Sequence, residues 1–515
     1  MRGSKLNLAE HMEDPSAEFH DSDKPSQKRG LTCTIALATL VTTLGASFQY
    51  GYGTGVLTAP SPFIQDFYNQ SYTRYGDLST VTLDILWATT ISVYCVGGAF
   101  GALAAAPIGD ILGRKGGLLI NNIFGICAAL LFGFSELADS FEMIIIGRVV
   151  LGFYAGVGIT IVPIFLAEIS PKNLRGAIGN NHQLAITIGI LVAQVLGIFA
   201  LNTEDTWVIL LAIPGGFSIL MLLFLPCCPE SPRWLLGNDR NLEGAEKALI
   251  RYLSTDDVTW ELKDMKKEFA EEQKEAAVGV TGLFTNKNYR KPLIISICMH
   301  AGQQFSGINA IFFYATEIYQ MIWPNNEDAV LYATVGTGAI NVLVTIISIL
   351  VVEKAGRRGL LLFPFLGMIL FTALITVALN LADPAINDPW DYVSLACVYG
   401  YIVCFAIGPG PIPFVLVAEI WSQGPRPAAM SLSVQVNWWS NFIVGLSFPF
   451  IQGAIGAYTF LVFMFFLLLT AFFTYFMVPE TKNKTFEEIV ASFRVDKDRD
   501  GNLEMAEVND NVHKA

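Results

Sequence analysis

Three carboxamides, Gln303, Gln304 and Asn309, fall inside an otherwise apolar stretch of the chain, residues 292–320. An amide carries two donors and an acceptor without a charge. In an apolar medium it is costly unless paired, so several together point to a polar, uncharged ligand or to ordered water. Helix–helix hydrogen bonding is the competing explanation, and it is preferred for Gln194 and Asn441. Gly307 lies between the amides, where a helix can loosen and expose its backbone. A second interruption, Gly408-Pro-Gly-Pro-Ile-Pro413, breaks another apolar stretch. Proline removes a backbone donor and clashes with the preceding turn, so Gly408 and Pro411 read as a hinge lining a cavity. No Ser/His/Asp constellation or cluster of metal ligands accompanies these residues, and neither catalysis, a cofactor nor a metal in the cavity is expected.

The charged residues form a second pattern. Asp110 to Gly113-Arg114-Lys115 is echoed by Glu353 to Gly356-Arg357-Arg358; Ala167-Glu168-Ile169 by Ala418-Glu419-Ile420; Arg175-Gly-Ala177 by Arg426-Pro-Ala428; and Pro229-Glu230-Ser231 by Pro479-Glu480-Thr481. Each set places carboxylates beside arginines at helix ends. Arg114, Glu168 and Arg233 can pair in the first half, and Arg357, Glu419 and Glu480 in the second. With Glu353, they are expected to form a gate latch that closes the inner face and breaks when the halves rock apart there.

The elements that hold these residues follow from composition. Of 515 residues, 53% are hydrophobic and only 15% charged, against about 25% charged in soluble domains. Crossing a bilayer takes roughly 20 apolar residues of helix. Twelve such segments lie near 33–57, 81–105, 117–136, 143–166, 178–200, 206–226, 292–320, 331–351, 359–380, 391–417, 430–452 and 456–478. The fold class is therefore an all-α membrane protein. The expected organisation is an N-terminal tail (1–32), a six-helix half (33–226), a helical linker (227–291), a second six-helix half (292–478) and a C-terminal tail (479–515). Lys and Arg concentrate in one set of short loops, which the positive-inside rule makes cytoplasmic, with both termini on that side. The net charge of −13 argues against a nucleic-acid partner. Asn69-Gln-Ser71 is an N-glycosylation sequon in the first outer loop. The eight cysteines avoid the outer loops, so no disulfide framework is implied. Two six-helix halves in parallel repeat are a transporter architecture, with substrate held between them near the midplane.

These motifs resemble those of the sugar porter family of the major facilitator superfamily, and in particular the animal facilitative glucose transporters. The resemblance covers nearly all of residues 35–494 and is carried by Gly109-Asp110 to Lys115, Pro229-Glu-Ser-Pro-Arg233, Gln303-Gln-Phe-Ser-Gly-Ile-Asn309, Gly408 to Pro413, and Pro479-Glu-Thr-Lys482. It implies that a hexose is bound by Gln183, Gln303, Gln304, Asn309, Asn341 and Asn437, with Phe414 and Trp438 offering apolar faces. It makes Tyr314, beside Phe313, part of an outer gate. Two departures stand out: Ala406 replaces a Glu and Phe414 a Trp found in glucose-selective members, which predicts looser choice among hexoses. Helix seven carries Met299-His300-Ala301-Gly302 where the most glucose-selective members have a Gln-Leu-Ser stretch, and His300 is read as a hydrogen-bonded polar group.

Proton-coupled members carry a titratable group in the cavity, commonly an Asp in helix one. Here Gly53 takes that place, and residues 32–65 hold no Asp or Glu. The expected function is thus passive hexose uniport, most simply of D-glucose, in the plasma membrane. Proton-coupled symport is the alternative, and a sugar sensor on the same fold is less favoured. One motif is left over. Asp496, Asp498, Asp500, Gly501 and Glu507 satisfy the spacing of a calcium-binding EF-hand loop. With no second hand to pair with, a solvated acidic tail is the preferred reading and weak calcium binding the alternative.

Overall fold

A computed structural model describes residues 30–77, 79–201, 203–237, 241–274, 278–352, 355–382, 388–482, 484, 488 and 489. Glu353 and the EF-hand-like loop 496–507 lie outside the described residues. Helices account for the fold. The first six spans are α1 (Cys33–Gly55), α3 (Thr80–Leu112), α4 (Arg114–Gly133), α5 (Phe141–Ile169), α6 (Arg175–Phe199) and α7 (Trp207–Phe224), with a further helix α2 (Ser61–Tyr72) after the first. Four short helices follow: α8 (Pro232–Leu236), α9 (Leu242–Leu253), α10 (Thr259–Lys274) and α11 (Val280–Thr285). Span seven is broken into α12 (Arg290–Phe305), α13 (Ile308–Phe313) and α14 (Ala315–Ile322). Spans eight and nine are α15 (Glu327–Val352) and α16 (Arg357–Leu381). Span ten is split into α17 (Pro389–Ile407) and α18 (Ile412–Ile420), and α19 (Arg426–Ile455) and α20 (Thr459–Met477) complete the set.

Close helix approaches in the first half need glycine. A Cβ on Gly97 or Gly101 of α3 would lie 2.0 or 2.1 Å from a backbone oxygen of α5, and one on Gly152 or Gly156 of α5 would meet α3 as closely. The two halves face each other where α19 runs along α3 and α15 along α6.

The repeated motifs build the same device twice. Glu230 accepts the backbone N–H groups of Lys115 (2.9 Å) and Gly116 (3.3 Å) at the start of α4. Glu480 does the same for Arg357 (2.9 Å) and Arg358 (3.2 Å) at the start of α16. An acid at a helix N-terminus satisfies orphan donors and the positive end of the dipole. Arg114 then pairs with Glu168 at 3.1 Å, and Arg357 with Glu419 at 2.9 Å. The hydroxyls of Ser231 and Thr481 donate to those same acids.

This geometry corrects two expectations. Glu480 meets Arg357 through its backbone N–H as well, and Arg233 reaches Glu268 of the linker at 3.1 Å. More important, the Arg114–Glu168 and Arg357–Glu419 pairs each lie within one half. A latch between the halves needs bonds between them; these pairs instead tie together helix ends within each half. The linker is docked by Lys172, whose ammonium sits 2.6 Å from Asp264 and 3.2 Å from Glu268. Partial desolvation pulls its pKa down, but the two carboxylates more than offset that and hold it above the usual value.

Candidate functional site

Both helix breaks feed one site. In α17–α18, the carbonyls of Ile407 and Pro409 would each have accepted a bond from four residues on, where Pro411 and Pro413 carry no N–H. Side chains take those acceptors instead. Ser348 Oγ donates to Ile407 O at 3.3 Å, and Gln303 Nε2 donates to Pro409 O at 2.8 Å and Gly410 O at 2.7 Å. In span seven, Gly307 adopts φ +90°, with the Phe463 ring packed so closely on its Cα that no side chain fits. That break turns α13 so that Asn309 returns toward Gln304.

The amides form a continuous row. Asn309 Nδ2 donates to Gln304 Oε1 at 2.6 Å, Gln304 Nε2 to Asn437 Oδ1 at 3.0 Å, and Asn437 Nδ2 to Gln303 Oε1 at 2.6 Å. His300 Nδ1 lies 3.4 Å from Asn437 Nδ2, and its ring stands edge-on to Phe414 with centroids 4.6 Å apart. His300 thus sits beside the row as a polar neighbour of Asn437.

A cavity of about 300 Å³ lies against this row. That is the lower end of the range of small-molecule pockets, roughly 300–1,000 Å³. Gln183, Gln303, Gln304, Asn309, Asn341, Phe414 and Asn437 all line it. Trp438 does not. It follows Asn437 on α19, about 100° round the helix, and packs edge-on to Tyr50 and Tyr94 with its ring on Gly98 of α3. Its place is the contact between halves. Tyr50, Thr54, Asn180 and Ser348 line the cavity without having been singled out in the sequence. The Gly-rich run around Tyr50 and Thr54 signalled them, since small residues there let the wall bend inward.

The cavity extends to Gly176 and Arg357, at the end of the molecule that carries the basic loops and the linker. The opposite end is shut. Thr316 Oγ1 donates to Thr58 O at 3.0 Å, and Thr58 Oγ1 donates to Phe312 O at 3.2 Å, so α13 and α14 are pinned to the segment after α1. Tyr314 donates its hydroxyl to Gly445 O at 2.7 Å and stacks on Phe448. Gly408 and Pro411 stand where α17 ends and α18 begins, with Leu360 O filling the space a Gly408 side chain would need. Asn69 is exposed on α2, at this closed end.

One residue was missed altogether. Glu317 lies in span seven, and both its oxygens are buried without a hydrogen-bond partner. A carboxylate inside an apolar segment was the available signal.

The comparisons with known proteins agree with this architecture. Residues 38–493 match the family model described as Sugar (and other) transporter. The chain is 48% identical to the Bos taurus solute carrier family 2, facilitated glucose transporter member 5, over 90% of its own length and 93% of the relative's. It is 42% identical to the Gallus gallus facilitated glucose transporter member 1, over 90% and 94%. Among solved structures, the inward open conformation of the Escherichia coli xylose transporter XylE superposes with a TM-score of 0.74 at 25% identity, covering 89% of this chain and 99% of that one. With twelve helical spans in two halves, an amide-lined cavity between them and these relatives, the chain belongs to the sugar transporter family of the major facilitator superfamily, as a multi-pass membrane protein and not an enzyme.

Proposed function

We propose that this protein is a passive hexose uniporter of the plasma membrane, working by alternating access, with Gln183, Gln303, Gln304, Asn309, Asn341 and Asn437 holding the sugar and Phe414 packing against its C–H face. The observation that carries the reading is the wall of the cavity. Its polar face is made of amides with one arginine, Arg357, at its rim, and among the described residues no Asp or Glu lines it. A hexose is neutral and presents vicinal hydroxyls that each donate and accept, which amides satisfy without placing charge in the bilayer. A carboxylate able to carry a proton with the sugar is missing from that wall, which favours uniport over symport. Both termini then face the cytoplasm, on the side of the basic loops, and Asn69 faces outside where it accepts a glycan. Arg114, Glu168, Arg357, Glu419, Glu230 and Glu480 hold the inner helix ends of each half as rigid units while the halves rock, and Arg233 holds the linker through Glu268. Tyr314 closes the outer mouth.

The relatives are named as glucose transporters, and glucose is the substrate proposed first. Ala406 and Phe414 leave the pocket wider and one acceptor poorer, so other hexoses are expected to compete. Radiolabelled hexose counterflow in proteoliposomes tests both parts. Saturable glucose counterflow, inhibited by excess galactose, mannose or fructose and unaffected by an uncoupler, is the expected result. Uptake against a gradient that collapses with an uncoupler, or alkalinisation of the medium on adding sugar, would establish symport instead.

A further inference from the structure

Glu317 stands one residue beyond Thr316, on the half-helix that seals the outer end. Thr316 and Phe312 make the two hydrogen bonds that pin α13 and α14 of the second half to Thr58 of the first. At Glu317 itself neither carboxyl oxygen has exposed surface or a partner. The polar group turned toward it is the indole N–H of Trp87 on α3, in the first half, and that too is unpartnered, short of hydrogen-bond geometry. So a carboxyl group and an indole from opposite halves are pressed together, dry, by closure of the outer gate.

A charged carboxylate in that position is disfavoured, because no cation or full hydrogen bond offsets its burial and only the Trp87 N–H faces it. The acid form carries its own donor and loses far less on burial. The other titratable groups nearby do not change this. On its own half-helix, Tyr314 is committed to Gly445 O and Tyr319 shares its hydroxyl with Thr337. On α3, Asp84 is exposed; on α15, Glu327 and Asp328 are exposed; on α17, Asp391 caps its own helix and Tyr399 donates to Ala333 O. On α5, Arg148 is bound to the carbonyls of Gly53, Thr90 and Ile91 and stacks on Tyr94.

We propose that Glu317 is a proton-binding site on the outer gate: closure takes one proton from the outer solution, and reopening returns it to the same side. Opening moves α14 away from α3 and lets water reach the carboxyl group, where ionisation is favoured. Glu317 is not among the residues lining the inward cavity, so the proton has no exit to the inside and none is carried across. External acid therefore favours the outward-closed state without coupling proton flow to sugar flow. The inference rests on alternating access but not on which sugar is carried.

The test uses the full-length protein in proteoliposomes, without sugar. Ser92 packs with Phe313 on Gly445 beneath the closed gate, so a Ser92→Cys variant in a Cys95→Ala background reports outer opening through a membrane-impermeant thiol reagent added outside. Labelling, divided at each pH by that of the same thiol in detergent-unfolded protein so that titration of the thiol cancels, should slow as the external pH falls from about 8 to 5, by up to about tenfold per pH unit where one proton is linked to closure. It should not respond to internal pH. Glu317→Gln, fixed in the neutral form, should label slowly at every pH. Trp87→Phe, which removes the facing N–H, should move the profile to higher pH. A Glu317→Gln profile matching the parent, or sensitivity to internal pH, overturns the proposal. Should Glu317→Gln fail to fold, an unshifted Trp87→Phe profile overturns it. Hexose counterflow on the same samples separates the two readings: pH-dependent labelling with no hexose flux refutes sugar uniport and leaves the proton site standing.

Discussion

The paired helix-end devices allow a comparison in which the protein is its own control. A Cβ on Gly113 would lie 2.3 Å from Glu230 Oε2, and one on Gly356 would lie 2.4 Å from Glu480 Oε2. Alanine at either place must push the capping acid away from two helix N–H groups, a loss of about 1–2 kcal/mol by analogy with other N-terminal caps. The backbone differs between the two. Gly113 has φ +85° and ψ 169°, a region almost confined to glycine, whereas Gly356 has φ −72°. Holding alanine at the first conformation adds about 1–3 kcal/mol. Gly113→Ala should therefore destabilise by about 2–5 kcal/mol and Gly356→Ala by about 1–2 kcal/mol. The assay is the fraction of monodisperse protein surviving graded heating in detergent, for each variant alone and combined with Glu230→Ala or Glu480→Ala. In the combined variants the capping part of the loss should vanish, leaving the backbone part at Gly113 and nearly nothing at Gly356. Equal losses at the two glycines, or full additivity with the acid deletions, would refute the reasoning.

Further expectations concern the cavity and the linker. Asn437→Ala removes the centre of the amide row and should raise KM for hexose counterflow by roughly 5–150-fold, on about 1–3 kcal/mol for buried polar groups left unpaired; a change below twofold would make the row packing alone. Ala406→Glu with Phe414→Trp restores an acceptor and an indole, and should sharpen glucose over the other hexoses in competition assays. Lys172→Ala breaks two half-exposed ion pairs and should weaken linker docking by no more than about 1 kcal/mol, visible as faster proteolysis between α9 and α11 with hexose flux retained.

Much of this was legible before any coordinates. Span positions follow from hydropathy alone, because a bilayer rewards roughly 20 apolar residues irrespective of packing. The amides at Gln303, Gln304 and Asn309 stood out for the same reason, against an apolar background. Pairings were harder. Arg114, Glu168 and Arg233 were close in motif, but which acid meets which base depends on helix ends brought together by folding, and Arg233 is drawn to Glu268 of a linker helix. Trp438 was grouped with Asn437 although neighbours on a helix face different ways. Glu317 is less legible because the family pattern places a proton carrier in helix one, and a lone acid in span seven matches no motif.

The repeat also explains why the proposed sugar site leans to one side. Both halves share the capping acid, the glycine and the Arg–Glu pair, so both present rigid inner helix ends. Among the described residues, though, the φ +90° break at Gly307 and the donor-free turn at Pro409 to Pro413 belong to the second half. Those breaks free the carbonyls that anchor Gln303, and Gln303 in turn orients Asn437, Gln304 and Asn309. On the proposed reading the hexose is held chiefly by the second half, while the first half supplies Gln183, Tyr50 and Thr54 as a wall that moves. The outer closure has the same asymmetry, since its mobile pieces α13 and α14 come from the broken helix that carries Asn309. A sugar that pulls Asn309 toward Gln304 would thereby draw Thr316 onto Thr58, which couples occupancy of the site to closure of the gate through the two short helices α13 and α14.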